Sequence, residues 1–279
     1  MRLATVLLNG TATPGLLSAD DQTVFPLEAY PTTVAFLHAG PDAWKLYAEA
    51  SQDASRHVPF QQILAPIAAP PKLLCIGLNY RDHAIESNME LPKTPVVFTK
   101  FSNSIIGPSV PVVLPKASTQ PDYEAELAIV IGVGGRNIPA ADWQQHVFGY
   151  TIINDVSARD IQLGTSQWSL GKSFDTFCPM GPAIVSLDSL GDPHALDIKL
   201  DIDGVSLQDS NTDQLVFKTG DLIAYLSSIM TLTPGDIIST GTPAGVGLGR
   251  NPKRWIQPGE TMTVEIEGIG KLSNPTVAE

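Results

Sequence analysis

Apolar residues fall in short blocks bounded by glycine, proline and asparagine rather than in long helical stripes. The first block, Thr5-Val6-Leu7-Leu8, runs into Asn9-Gly10 and is answered by a second run ending at Gly15-Leu16-Leu17. Both turn residues tolerate positive φ, so this stretch predicts a β-hairpin. Between Asp42 and Ala54, Trp44, Leu46, Tyr47 and Ala50 stand at near-helical spacing and predict one short helix before Pro59. The proline-stiffened connector Ile67-Ala68-Ala69-Pro70-Pro71 marks a boundary. Dense strand patterns follow it over 72–77, 95–99, 112–114, 125–133 and 150–153. The chain therefore divides into a small N-terminal domain, residues 1–70, and a main domain, residues 71–279.

The later punctuation is equally rich in turns. Thr233-Pro234-Gly235-Asp236 and Gln257-Pro258-Gly259-Glu260 carry Pro-Gly in the order of a type II turn. Each leads into strand-like residues, Ile237-Ile238 and Met262 to Ile266. Leu222, Tyr225, Leu226, Ile229 and Met230 follow i, i+3, i+4, i+7, i+8 spacing, which predicts an amphipathic helix beginning near Thr219 or Asp221. Strands outnumber helices without regular βαβ alternation, so the fold class is α+β or a mostly β roll.

Composition narrows the function classes. The 279 residues include 17 Lys+Arg against 29 Asp+Glu, a net charge of −12. That balance repels nucleic-acid phosphates and anionic lipid, and no basic run offsets it. Cys75 and Cys178 lie far apart with no C-x-x-C spacing, so neither a disulfide framework nor a zinc-thiolate site is supported. No apolar run approaches the ~20 residues of a membrane helix, and the first residues break too soon at Asn9-Gly10 for a signal-peptide core. The expectation is a cytoplasmic enzyme. The acidic surplus is either an ordinary soluble surface or a set of carboxylates gathered around a cation.

The segment Asp122-Tyr123-Glu124-Ala125-Glu126-Leu127 bears on that choice. On a strand Glu124 and Glu126 share one face with Ala128 and Val130, while Ala125, Leu127, Ile129 and Ile131 take the other. A carboxylate pair on a buried strand is costly unless something positive neutralises it; on an edge segment both acids would be solvated. Thr151-Ile152-Ile153-Asn154-Asp155 ends a second apolar strand at an acid, and pairing of the two strands would set Asp155 beside the glutamates. Three oxygen ligands suit a hard cation, Mg2+ first, then Mn2+ or Ca2+. His83 and Glu86 stand at i and i+3 if a helical turn begins near Asp82, close enough for Glu86 to orient an imidazole base. Taken alone, that pair is more commonly an exposed helical pair. Lys172 is a cation in an apolar, glycine-bounded stretch. No G-x-G-x-x-G, P-loop, G-x-S-x-G or H-E-x-x-H motif is present.

In order along the chain, Ile76-Gly77-Leu78-Asn79-Tyr80 with His83 and Glu86, Glu124-x-Glu126, Asn154-Asp155-Val156-Ser157-Ala158-Arg159-Asp160, Gly171-Lys172-Ser173-Phe174, and Thr240-Gly241-Thr242-Pro243-Ala244-Gly245-Val246-Gly247 resemble the fumarylacetoacetate hydrolase family. The resemblance covers about residues 72 to 270. It implies a mixed β-sheet roll, usually a homodimer, and a divalent cation, typically Mg2+, held by Glu124, Glu126 and Asp155. It further implies His83 and Glu86 as a water-activating dyad, Lys172 as an active-site lysine, and Arg159, Gln162 and Thr242 as pocket residues for a small oxo-acid substrate.

The activity so implied is hydrolysis of a carbon-carbon bond in a 2,4-diketo acid, such as an acylpyruvate, to pyruvate and a carboxylic acid. Ser166 to Phe177 and Gly247 to Pro252 look most like the branch that hydrolyses 2,4-diketo-3-deoxy sugar acids. The same enolate-stabilising site also permits decarboxylation of an oxaloacetate-like acid, or keto-enol and double-bond isomerisation when only protons move. A catalytically silent oxo-acid binder is the remaining alternative, against which the intact His83, Glu86 and Lys172 speak.

Overall fold

The computed structural model describes residues 1–279. Its centre is a twelve-stranded mixed sheet, joined by a five-stranded sheet built from Val205–Asn211, Asp197–Ile202, Thr261–Ile266, Gly270–Ala278 and Val112–Leu114. The hairpin at Asn9-Gly10 forms between Arg2–Leu8 and Thr11–Leu17, and both turn residues have positive φ, 51° and 77°. Arg2–Leu8 continues into the large sheet by pairing antiparallel with Cys178–Ser186, Leu3 opposite Ile184. Backbone hydrogen bonding thus crosses the proline connector. The helix expected before Pro59 is Pro41–Ala50, preceded by a short helix Thr33–His38 that the spacing did not suggest.

Middle strands explain where the site lies. The glutamate strand, Ala125–Ile131, pairs antiparallel with the aspartate strand, Val147–Asn154, with Ala125 opposite Asn154 and Glu126 opposite Ile153. Every residue of both strands is buried. The two faces expected for the glutamate strand separate cleanly: Ala125, Leu127, Ile129 and Ile131 join one apolar core, and Ala128 and Val130 join another. Glu124 and Glu126 therefore emerge from the end of a strand buried on both sides, and an edge segment with solvated acids is excluded.

Ile237–Ser239 flanks the glutamate strand, and Leu73–Gly77 lies parallel beyond it, paired in turn with Val96–Thr99. These strands deliver the remaining loops to the same end of the sheet. The helix Thr219–Ile229 forms as its spacing predicts, with Leu222, Ile223 and Leu226 in the larger core. Met230 lies just past it in extended backbone. Gly235 and Gly259 take φ of 87° and 90°, as the two Pro-Gly turns require.

Candidate active site

Register places Asp155 against the glutamate pair. The Asp155 N–H donates to the Glu124 carbonyl at 2.9 Å, one step beyond the paired strands. One carboxylate oxygen each from Glu124, Glu126 and Asp155 lies within 4.8 Å of the others, and all three residues are buried. Around them the chain assembles three cations. Lys172 Nζ bridges Glu124 Oε2 at 2.5 Å and Asp155 Oδ2 at 2.8 Å. Arg159 reaches Glu124 Oε1 at 2.5 Å and Asp122 Oδ2 at 2.8 Å. Lys100 meets Asp155 Oδ1 at 2.6 Å.

Burial opposes ionisation throughout this cluster, and the partners decide each outcome. At Glu124, Arg159 and Lys172 outweigh burial and hold the carboxyl well below the usual range. At Glu126, burial is reinforced by Asp155 and Glu124, and the carboxyl is pushed well above its ordinary value. Burial alone would lower Lys172, but Asp155 and Glu124 raise it and keep the ammonium charged. Glu126 has no cation partner: its Oε2 accepts from the Ser239 hydroxyl and from the Gly241 N–H at 3.2 Å. Four buried acids, Asp122 included, face three cations. An all-oxygen donor set with one unneutralised carboxylate fits a hard divalent cation.

Glu124 and Glu126 open onto a cavity of about 440 Å³. His83 and Glu86 enter it from the helix Arg81–Glu86, with Nδ1 of His83 3.3 Å from Glu86 Oε2. Glu86 Oε1 also accepts the Gly245 N–H at 3.0 Å, which ties the helix to the glycine-rich loop. Arg159, Gln162 and Lys172 line a second wall, and Thr242 a third. Gln162 Oε1 accepts from Arg159 at 2.9 Å, so its amide N–H groups are turned away from the guanidinium. Thr242 Oγ1 accepts from Gln208 Nε2 at 2.8 Å. Asp155 alone of the nine candidates does not line the cavity; it lies behind Lys172.

Residues 72–277 match the fumarylacetoacetate (FAA) hydrolase C-terminal family. The chain belongs to the fumarylacetoacetate hydrolase family. A mitochondrial oxaloacetate tautomerase of Xenopus laevis is 44% identical over 99% of this chain and 90% of its own length. A mitochondrial oxaloacetate tautomerase of Rattus norvegicus is 47% identical over 88% of this chain and 80% of its own. A solved maleylpyruvate hydrolase from Sphingobium sp. SYK-6, in complex with manganese(II) and pyruvate, superposes with a TM-score of 0.82 at 28% identity, covering 100% of this chain and 99% of that one.

Two expectations change with these comparisons. The cytoplasmic assignment is overturned, because these oxaloacetate tautomerases, 44% and 47% identical to the chain, are mitochondrial. That no helix is long and apolar enough to cross a membrane does not bear on which compartment holds the protein. Among the activities the family supports, proton-moving isomerisation gains over carbon-carbon hydrolysis, since the relatives at 44% and 47% identity are tautomerases, whereas the maleylpyruvate hydrolase is 28% identical.

Several residues of this fumarylacetoacetate hydrolase family member escaped the motif reading. Asp122 sits just ahead of the E-x-E pair and gathers Arg159 with the backbone N–H groups of Gly247 and Leu248, at 2.7 and 3.0 Å. It organises the glycine loop and the guanidinium together. Lys100 directly follows the partly exposed strand Val96–Thr99, and no local pattern marked it. Phe98 and Trp168 form one wall of the cavity, and nothing in their spacing marked them.

Proposed function

We propose that this chain is a divalent-cation-dependent keto-enol tautomerase acting on oxaloacetate-like 2-oxo acids, with Mg2+ as the cation. The observation that carries the reading is the sharing of one cavity by an imidazole-carboxylate pair, His83 and Glu86, with a charged lysine and a carboxylate, Glu126, that lacks a cation partner. The near-full-length similarity to oxaloacetate tautomerases supports it.

Glu124, Glu126 and Asp155 would hold the cation. Bound there, it would draw electrons from the 2-oxo oxygen and so acidify the adjacent C3–H bond. His83 takes or returns the C3 proton, with Glu86 fixing the ring at Nδ1 and leaving Nε2 as the free nitrogen. Lys172, kept protonated by its two carboxylates, stabilises negative charge as it develops on the 2-oxygen. The outward amide of Gln162 donates to the substrate carboxylate. One C–H bond breaks and one O–H bond forms, so no water is consumed and no carbon-carbon bond opens.

The test follows decay of enol oxaloacetate by ultraviolet absorbance with Mg2+-loaded protein, against chelator-treated protein and a protein-free Mg2+ control. Pyruvate is assayed in parallel. Accelerated ketonisation without enzymatic pyruvate supports the reading. Efficient release of pyruvate and a carboxylic acid from acylpyruvates, with no tautomerisation above control, would return the protein to the hydrolases.

A further inference from the structure

Gly77 ends the strand Leu73–Gly77, and a Cβ there would lie 2.4 Å from Cζ3 of Trp168. Lacking one, the position lets the indole lie directly on the backbone. Phe98, on the strand paired with Leu73–Gly77, meets that indole edge-on, with centroids 5.7 Å apart and planes at 65°. The Phe98 ring in turn receives the Lys172 ammonium 5.0 Å from its centroid. An aromatic wall therefore begins at the lysine and continues through Phe98 to Trp168. Leu163 and Met89 extend the apolar lining, 57% and 51% exposed, and Leu248 adds to it.

The same cavity is poor in charge for a second carboxylate. Its only lysine and arginine are Lys172 and Arg159. Arg159 spends Nε on Asp122, Nη1 on Gln162 and Nη2 on Glu124. Lys172 lies between Glu124 and Asp155. The volume, about 440 Å³, falls in the range of about 300–1,000 Å³ typical of sites for ligands much larger than a four-carbon acid. Exposed leucine and methionine side chains beside two aromatic rings favour an apolar substituent that covers them.

We propose that Phe98, Trp168, Leu163 and Met89 form a subsite for an aryl or branched-alkyl group at C3 of a 2-oxo acid, so that the protein also tautomerises substrates of the arylpyruvate class. This rests on the tautomerase reading above. In enolisation the C3–H bond breaks, its electron pair becomes the C2–C3 π bond, and the carbonyl π pair moves to oxygen, which takes a proton. Ketonisation is the reverse. No oxidant or co-reactant enters.

Two measurements on the Mg2+-loaded full chain decide the matter. The first compares kcat/KM for phenylpyruvate and oxaloacetate tautomerisation. Phenylpyruvate should be turned over at least as efficiently. Trp168→Ala should lower the phenylpyruvate-to-oxaloacetate ratio by about tenfold, and Leu163→Asn, at an exposed position, by about threefold. The second titrates pyruvate and benzoylformate by calorimetry; the benzoylformate ring stands in place of C3 and its substituents and has no C3–H bond to break. Benzoylformate should bind about tenfold tighter than pyruvate, and Trp168→Ala should erase the difference. Oxaloacetate turnover without phenylpyruvate turnover overturns the arylpyruvate activity and leaves the tautomerase reading intact. Equal affinities for the two probes overturn the subsite whatever the rates. No turnover of either substrate overturns both activities, even where benzoylformate keeps its advantage.

Discussion

Lys100 Nζ lies 2.6 Å from Asp155 Oδ1, and neither side chain reaches solvent. The ammonium has one further partner, the Val156 carbonyl at 3.1 Å. A buried pair of this kind stabilises little over an apolar isostere, yet removing one member strands the other's charge, which costs about 3–5 kcal/mol. Lys100→Met leaves Asp155 only Lys172, which it shares with Glu124, and should destabilise chelator-treated protein by about 3 kcal/mol, the lower end of that range. Mg2+ should recover part of that loss, because a divalent cation beside Asp155 replaces the missing charge. Thermal unfolding with and without chelator checks both halves; an unchanged melting temperature in the cation-free variant would show that Asp155 does not depend on Lys100.

Glu126 predicts the opposite balance. Burial, Asp155 and Glu124 push its carboxyl above the ordinary value of 4.5. A raised folded value means that its contribution to stability is complete below the ordinary value and is lost as pH climbs through the raised one. Glutamine has no proton to lose and the same shape. Cation-free Glu126→Gln should match its parent near pH 5 and exceed it in stability near pH 8, while binding Mg2+ about 100-fold more weakly. Urea unfolding and calorimetric Mg2+ titration read the two effects. A variant that is less stable at the higher pH would mean that Glu126 is ionised and satisfied without a cation.

The contrast between these residues shows what the sequence made legible. Period-two alternation put Glu124 and Glu126 on one face, and an apolar strand ending at Asp155 supplied the third acid, because strand geometry is local and strict. The His83 and Glu86 pair follows from helix geometry in the same way. Lys100, Asp122 and Trp168 were not legible, since each acquires its role by meeting a residue distant in the chain: Lys100 with Asp155, Asp122 with Gly247, and Trp168 with Gly77. The pairing of Arg2–Leu8 with Cys178–Ser186 is hidden for the same reason, because no local pattern names a strand's partner.

His194 carries a pH dependence remote from the cation site. Its Nε2 accepts from the Thr219 backbone N–H at 3.3 Å, at the N-terminus of the helix Thr219–Ile229, and Nδ1 lies 3.1 Å from Asp192. Burial, only partly offset by Asp192, holds the imidazole below its ordinary value of 6.5. Protonation would remove the acceptor and set a positive charge at the positive end of the helix. With the folded value depressed, the stability from neutral His194 is present above 6.5 and is lost as pH falls through the folded value. His194→Gln should flatten the acid side of the urea-midpoint profile between about pH 5 and 7. A profile unchanged in the variant would assign the acid loss to other groups.

Glu86 holds two groups at once, the His83 ring and the Gly245 N–H, so the two members of the pair are separable by mutation. His83→Ala removes the proposed base and should lower kcat for tautomerisation by about 100-fold to 10,000-fold, with Mg2+ affinity unchanged. Glu86→Gln keeps an oxygen for Gly245 and a side chain against the imidazole, and should cost about tenfold. Glu86→Ala also releases the loop, so its loss should exceed that of Glu86→Gln and should include a rise in KM. Rates and calorimetric Mg2+ titrations on the three variants distinguish the roles. If His83→Ala and Glu86→Ala raise KM equally and spare kcat, the pair serves to anchor the glycine loop, and the proton at C3 must be carried by another group.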